Sequence, residues 1–186
     1  MKKIILVMAL VIASMLHSYA QNRDVKLFEL EVAVGITTAG EGSSHWIYSK
    51  RDNRDGPFFL IEPRFNIPNS SFDLSAQLSN GFFEGKKGSA EYDLSNFTTI
   101  AAYSNYNFKE WKHATLFAGC GLGYGSYKMK KEFIPSGYKS SLFFAPRVGI
   151  EFLNHLRLTL DYKLMQHKHL SNLNITLGIV FGGGKK

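Results

Sequence analysis

His169, Leu170, Ser171 and Asn172 set an imidazole two residues from a hydroxyl, the pair of groups that a base-activated nucleophile needs. His169 would act as the base and Ser171 as the nucleophile, while His167 and His169 would share one side of a strand and could hold a metal between them. No Asp or Glu follows Asp161, so nothing downstream can orient the imidazole as a triad does. A second set of groups recurs at alternate positions: Glu29, Glu31, Glu62, Asp73, Glu151 and Asp161 against Arg64, Arg147, Arg157 and Lys163. Carboxylates and cations interleaved in this way suit either an acid/base or ion path, or a buried network of ion pairs; the spacing favours the network.

What must position these groups is a series of strands. From Leu27 to Phe181 the chain divides into eight segments in which apolar and polar residues alternate with a period of two. Phe28, Leu30, Val32, Val34 and Ile36 oppose Glu29, Glu31, Ala33 and Gly35. Likewise Phe59, Ile61, Pro63, Phe65 and Ile67 oppose Leu60, Glu62, Arg64 and Asn66, and Leu156, Leu158, Leu160, Tyr162 and Leu164 oppose Arg157, Thr159, Asp161 and Lys163. The segment around Tyr92 to Tyr106 is ambiguous, and Ile100 is assigned to the lipid side. Pro63 and Pro146 each remove a ladder donor and are expected to mark bulges.

The connections alternate between long and short. Thr37 to Pro57, Asn80 to Glu91 and Gly125 to Lys139 are long; Pro68 to Ser71, Asn107 to Lys112 and Leu153 to His155 are short. A soluble barrel would carry its apolar phase inward, around a greasy ligand. Unequal connections, with ten charges on the polar phase, point instead to an all-β, eight-stranded antiparallel up-and-down transmembrane barrel.

The N-terminus agrees. Met1-Lys2-Lys3 is a basic start, Ile4 to Leu16 is nearly all apolar, and Ser18-Tyr19-Ala20 ends on a small residue, so residues 1–20 read as a cleaved signal peptide. Residues 21–181 would form one barrel and residues 182–186 a flexible Gly/Lys tail. The formal charge of +7 falls to +5 once Lys2 and Lys3 leave with the leader. A single Cys120 excludes an internal disulfide, and no cofactor or metal site is expected.

On these residues the chain resembles the small outer-membrane barrels of the outer-membrane protein A and X type, across residues 24–181. Leu173 to Phe181, alternating and ending on an aromatic, resembles the signal that the barrel-assembly machinery reads in that family, although five residues follow Phe181 here. His169-Leu170-Ser171-Asn172 separately resembles the His-x-Ser-Asn element of the outer-membrane lipid A deacylases. That resemblance implies an esterase in which His169 activates Ser171, but the family's downstream carboxylate is missing.

An eight-stranded bore holds only side chains, so the ten charges are expected to block it. Phe28, Tyr106, Trp111 and Phe152 at one end, with Phe58, Tyr92, Tyr124 and Tyr162 at the other, would form aromatic girdles. Function then falls to outer loops rich in cations and aromatics: Trp46, Lys50, Arg51, Arg54, Lys86, Lys87, Lys128, Lys130 and Lys131. Such loops suit the phosphates of outer-membrane lipid and lipopolysaccharide, or an acidic surface or host protein. The expectation is a Gram-negative outer-membrane protein with a structural or surface-interaction role and no nucleic-acid partner; the alternatives are the esterase or a narrow pore.

Overall fold

The computed structural model describes residues 26–39, 54–82, 93–108, 111, 113–131, 134–166 and 170–182. Eight antiparallel strands run β1 (Phe28–Ala39), β2 (Arg54–Asn66), β3 (Phe72–Phe82), β4 (Asp93–Asn107), β5 (Ala114–Lys131), β6 (Ile134–Phe152), β7 (Leu156–Met165) and β8 (Asn172–Phe181). Each pairs with its neighbour in sequence, and β1 pairs with β8 to close the barrel. Closure begins at Leu30 opposite Phe181, which places the expected assembly residue on the seam, facing outward. The expected signal peptide and tail residues 183–186 lie outside the described residues.

Alternation decides which face each residue takes. Val34, Ile61, Leu78, Leu122, Leu142 and Ile179 point out and are exposed, while Glu31, Glu62, Asp73, Arg147, Arg157 and Lys163 point in and are buried. Ile100 is 60% exposed and its strand-mates Phe97 and Tyr103 are buried, so β4 takes the same sense as its neighbours. An apolar exterior around a polar bore inverts the soluble arrangement and is stable only against lipid.

Two expectations about the backbone need correction. Pro63 and Pro146 do not sit at bulges. Pro63 pairs with Leu30 on β1 and Pro146 with Cys120 on β5. On their other sides the ladder has no pair at Glu62–Pro63 toward β3 or at Ala145–Pro146 toward β7, yet the register is the same above and below each gap. The missing N–H therefore interrupts pairing without inserting a residue. The register shifts fall elsewhere, at Leu94/Asn96 and Met129/Lys131.

The stretch expected as a long loop from Gly125 to Lys139 is mostly strand. β5 and β6 stay paired from Ala114–Phe152 out to Lys131–Ile134, whereas β7 leaves β6 after Met165–Phe143 and β3 leaves β4 after Phe82–Asn96. A three-stranded sheet of β4, β5 and β6 thus runs on past β7 from Leu142 and past β3 from the Asn96–Lys128–Tyr138 rung, so that Ile134 to Tyr138 overhang both neighbours by about 15 Å at strand rise. The residues read as loop are rungs of this sheet.

At the opposite end the turns are tight. Ile67 accepts from the N–H of Ser70 across Pro68 and Asn69, whose φ of 56° fits the second corner of a type II turn. Phe152 accepts from the N–H of His155 across Leu153 (φ 53°) and Asn154 (φ 57°), the signature of a type I′ hairpin. Left-handed backbone suits Asn and costs Leu about 1–2 kcal/mol.

Candidate functional site

The interior forms two layers. Nearer the tight turns, the strands bring the charged residues together, one bonded set around Arg64 and Arg157 and another around Arg147. Arg64 Nη2 on β2 lies 2.6 Å from Glu29 Oε2 and 2.9 Å from Glu151 Oε2 on β6. Arg147 on β6 reaches the other way, with Nη2 2.7 Å and Nη1 2.8 Å from the two oxygens of Glu62 on β2. β2 and β6 stand opposite each other in an eight-stranded ring, so these two reciprocal pairs cross the bore. Each arginine directly follows one of the two prolines, and the cross-bore bridges therefore tie together the strands whose ladders those prolines interrupt.

Around that pair further polar groups are bonded in sequence, while Arg64 Nε, Arg157 Nε and Nη2, and the hydroxyls of Thr37, Thr115 and Thr159 make no hydrogen bond among the described residues. Arg147 Nε donates to Asn105 Oδ1 at 2.6 Å and Nη2 to Ser75 Oγ at 3.0 Å, and its guanidinium lies 3.9 Å over the Tyr103 ring. Asp73 accepts from the amides of Asn105 and Asn107, and Asp161 from Tyr103 Oη and the Asn174 amide. Arg157 stacks 3.6 Å over Phe117 and lies 3.4 Å from both Glu31 and Glu151. Gly121 leaves room for the Tyr103 ring, which a Cβ there would strike.

Lys163 is held differently. Its Nζ donates to Gln77 Oε1 at 3.2 Å and to Ser79 Oγ and Thr99 Oγ1 at 3.0 Å each, and it sits 4.8 Å from the Phe58 ring, with no carboxylate within ion-pair distance among the described residues. Gln77 also donates to Glu62, so one chain of hydrogen bonds runs from Asp73 through Asn105, Arg147, Glu62 and Gln77 to Lys163.

The second layer, toward the projecting sheet, is apolar. Phe58, Phe97 and Tyr127 stack at centroid distances of 5.9 and 5.4 Å, packed among Leu60, Ala101, Phe143, Ala145, Met165 and Leu170. Phe58 therefore belongs to this plug and not to the outer girdle where the sequence had placed it; its side chain has no exposure. The signal was present in the chain, since Leu60, Phe143 and Ala145 lie on the inward phase of β2 and β6.

Ser171 is 6% exposed, and its Oγ accepts the backbone N–H of Met165 at 3.1 Å. His169 and His167 lie outside the described residues, as do Trp46, Lys50, Arg51, Lys86 and Lys87. Arg54, Lys128, Lys130 and Lys131, expected in loops, are strand residues: Arg54 pairs with Ala39, Lys128 with Asn96 and Tyr138, Lys130 with Asp93, and Lys131 with Ile134. Among the described residues no group of three His, Cys, Asp or Glu side chains could hold a metal.

A closed eight-stranded barrel, apolar outside and polar within, defines the class of small outer-membrane β-barrels. No protein-family profile and no curated protein sequence matches this chain. Solved structures do. Neisserial surface protein A superposes with a TM-score of 0.62 at 11% identity, over 85% of this chain and 98% of that one. The N-terminal β-barrel domain of Pseudomonas aeruginosa OprF gives 0.54 at 13% identity, over 84% and 99%. The Yersinia pestis attachment invasion locus protein, Ail, gives 0.50 at 16% identity, over 84% and 100%. At such identities the likeness is one of fold.

Proposed function

We propose that this chain is an outer-membrane barrel that works as a non-enzymatic surface-interaction protein, with the β4–β5–β6 sheet as its binding element. The observation that carries this reading is the continuation of the β5–β6 ladder to Lys131–Ile134, far beyond the last β6–β7 pair. A barrel that only had to seal or span needs strands of about ten residues, the length of β7 and β8. The sequence of this hairpin carries Lys128, Lys130, Lys131 and Lys139 against a single Glu132, which suits a partner rich in phosphate or carboxylate. Its outer strand bears Pro135 and Lys139, residue types that discourage edge-to-edge self-association. Ail, one of the similar folds, carries attachment and invasion in its name.

The test is binding by the full chain in nanodiscs. Wild type is expected to bind lipopolysaccharide with an affinity that falls as salt rises, with polyglutamate competing if carboxylates serve as well. Replacing Lys128, Lys130 and Lys131 together by Ser should weaken binding at least tenfold, since each basic residue near an anionic surface contributes about 1 kcal/mol. Equal affinity of the triple variant and wild type, with the barrel folded in both, sinks the proposal.

A lipid A esterase finds no support in the buried Ser171, whose oxygen is already engaged by the Met165 amide. Mass spectrometry of lipid A from cells carrying wild type, Ser171→Ala or neither is expected to give three identical acylation patterns. Loss of an ester-linked chain with wild type alone would make the protein an enzyme.

A further inference from the structure

The end of β7 nearer the projecting sheet is weakly attached on both sides. Toward β6 its ladder runs unbroken from Leu156–Phe152 to Asp161–Arg147, stops across the Pro146 gap, and resumes for two rungs, Leu164–Phe144 and Met165–Phe143. Toward β8 the last pair is Lys163–Asn172, and beyond it the N–H of Met165 goes to the Ser171 hydroxyl and not to a strand. Leu164 to Gln166 therefore hang on those two rungs and on the Gln166 N–H, which donates to Leu142 O and Ser141 Oγ at 3.2 Å each. A segment held by so few backbone bonds opens locally at low cost.

An apolar groove of about 830 Å³ reaches this same end. It crosses the wall of the barrel from Ala76 on β3 to Leu164, Met165 and Gln166 on β7. Four inter-strand steps make it about 19 Å long, close to the roughly 15 Å depth of one leaflet's hydrocarbon. Phe143 and Met165 line the groove and also belong to the apolar plug, so wall and interior share these two residues.

Lys163 stands just inside. The register carried across the gap sets it opposite Ala145, a side chain of one methyl. Its ammonium is fully buried, bonds three neutral oxygens, and lies 4.8 and 5.6 Å from the centroids of the Phe58 and Phe143 rings. Two carboxylates of the same layer are engaged elsewhere, Asp161 by Tyr103 and Asn174, and Glu62 by Arg147 and Gln77. An ammonium buried inside a membrane barrel on neutral partners is a costly arrangement and marks a place where something charged is received.

We infer that the groove takes the chain of a long-chain fatty acid from the leaflet at the projecting-sheet end, and that the end of β7 swings off β6 to bring the fatty acid's carboxylate to Lys163. The carboxylate supplies the counter-ion that the surrounding side chains do not. An opening of two rungs is about 7 Å high. That admits one chain with a compact head and excludes a phospholipid or lipid A, whose several chains share a bulky head group. The site is separate from the basic hairpin, and it stands whether or not the hairpin binds an anionic partner.

The test places the full chain in phosphatidylcholine nanodiscs with stearic acid that carries a nitroxide near its methyl end. Electron spin resonance then gives the fraction of label immobilised by the protein at alkaline pH, where the carboxyl is ionised. Phosphatidylcholine labelled at the same chain position sets the level of ordinary wall contact. Wild type is expected to prefer the fatty acid over this reference by about tenfold, as a hydrogen bond to a charged group supplies. Lys163→Met, which strands no carboxylate, should bring the two labels level, as should the labelled methyl ester with wild type. Phe144→Cys with Leu164→Cys, in a Cys120→Ser background, locks the seam when oxidised and frees it when reduced, so oxidation alone should remove the preference. Equal immobilisation of both labelled lipids by wild type overturns the site. A preference that survives Lys163→Met removes the carboxylate's partner, and one that survives oxidation removes the opening of β7; either result overturns the proposal as stated.

Discussion

Arg147→Ala is expected to lower the unfolding free energy of the barrel by about 3–5 kcal/mol, measured by urea unfolding in lipid vesicles. The guanidinium is fully enclosed and makes four hydrogen bonds, two of them to Glu62. Its removal leaves Glu62 with the Gln77 amide and the Ser75 hydroxyl but no cation, in a bore that holds six carboxylates against four cations among the described residues. The cost is that of a stranded charge and not of a lost contact, which a mutant cycle can separate. Glu62→Leu combined with Arg147→Met should recover most of the loss, because the apolar pair strands no charge, only the neutral groups of Asn105, Ser75 and Gln77. Arg64→Ala is expected to follow the same pattern through Glu29 and Glu151. Lys163→Met should behave otherwise and stay within about 1 kcal/mol of wild type, since Lys163 leaves no carboxylate behind and the Ser79 and Thr99 hydroxyls already bond each other at 2.5 Å. A loss below about 1 kcal/mol for Arg147→Ala would show that water reaches Glu62, and with it that the bore is not sealed.

The architecture was legible because the side-chain period of a strand is fixed. Most lipid-facing residues are apolar, with Asn80, Thr98 and Ser104 the exceptions around the ambiguous strand, and the unequal connections set the order. The ambiguous fourth strand resolved through its neighbours: Ile100 pairs with Leu78 and Tyr124, both outward, so one shared register decides its facing. The interior was only half legible. Charge is conspicuous in a sequence, whereas Leu60, Phe143 and Ala145 on the inward phase read as noise until closure places them at one height. The change in character runs along each strand: β2 passes inward-facing Phe58 and Leu60 before Glu62 and Arg64, and β6 passes Phe143 and Ala145 before Arg147 and Glu151. The projecting sheet was least legible, because a strand that has left the barrel has no lipid face to keep apolar, and without that alternation it is indistinguishable in composition from a loop. Pairings such as Tyr127 with Lys139 and Phe97 with Tyr127 identify it, and those are non-local facts. The esterase alternative shows the converse limit. Four residues in the right order say nothing of how Ser171 is held, and the acceptance of the Met165 N–H by its hydroxyl at the end of β7 is a non-local fact.

Phe97→Ala is expected to be as costly as the arginine change, about 3–5 kcal/mol, for a different reason. Phe97 is 1% exposed and lies between Phe58 and Tyr127, so its loss removes two ring contacts at once and leaves a cavity that the closed ladder cannot collapse around. Gly81 sits directly against this ring, where a Cβ would strike it, so the strand opposite is shaped to the phenyl and has no side chain to move into the space. Phe97 and Tyr127 also stand where β4 and β5 leave the barrel, and loosening them should raise amide exchange in Ser126 to Lys128 more than at the Arg64–Glu151 end. The same variant separates the two layers of the seal. With the apolar plug broken, the Arg147–Glu62 bridge still crosses the bore, so planar bilayers containing Phe97→Ala should remain silent. Phe97→Ala together with Arg147→Ala, if it still inserts, should then pass current. Openings in Phe97→Ala alone would mean that the aromatic stack is the whole barrier and that the charged layer below it is wet.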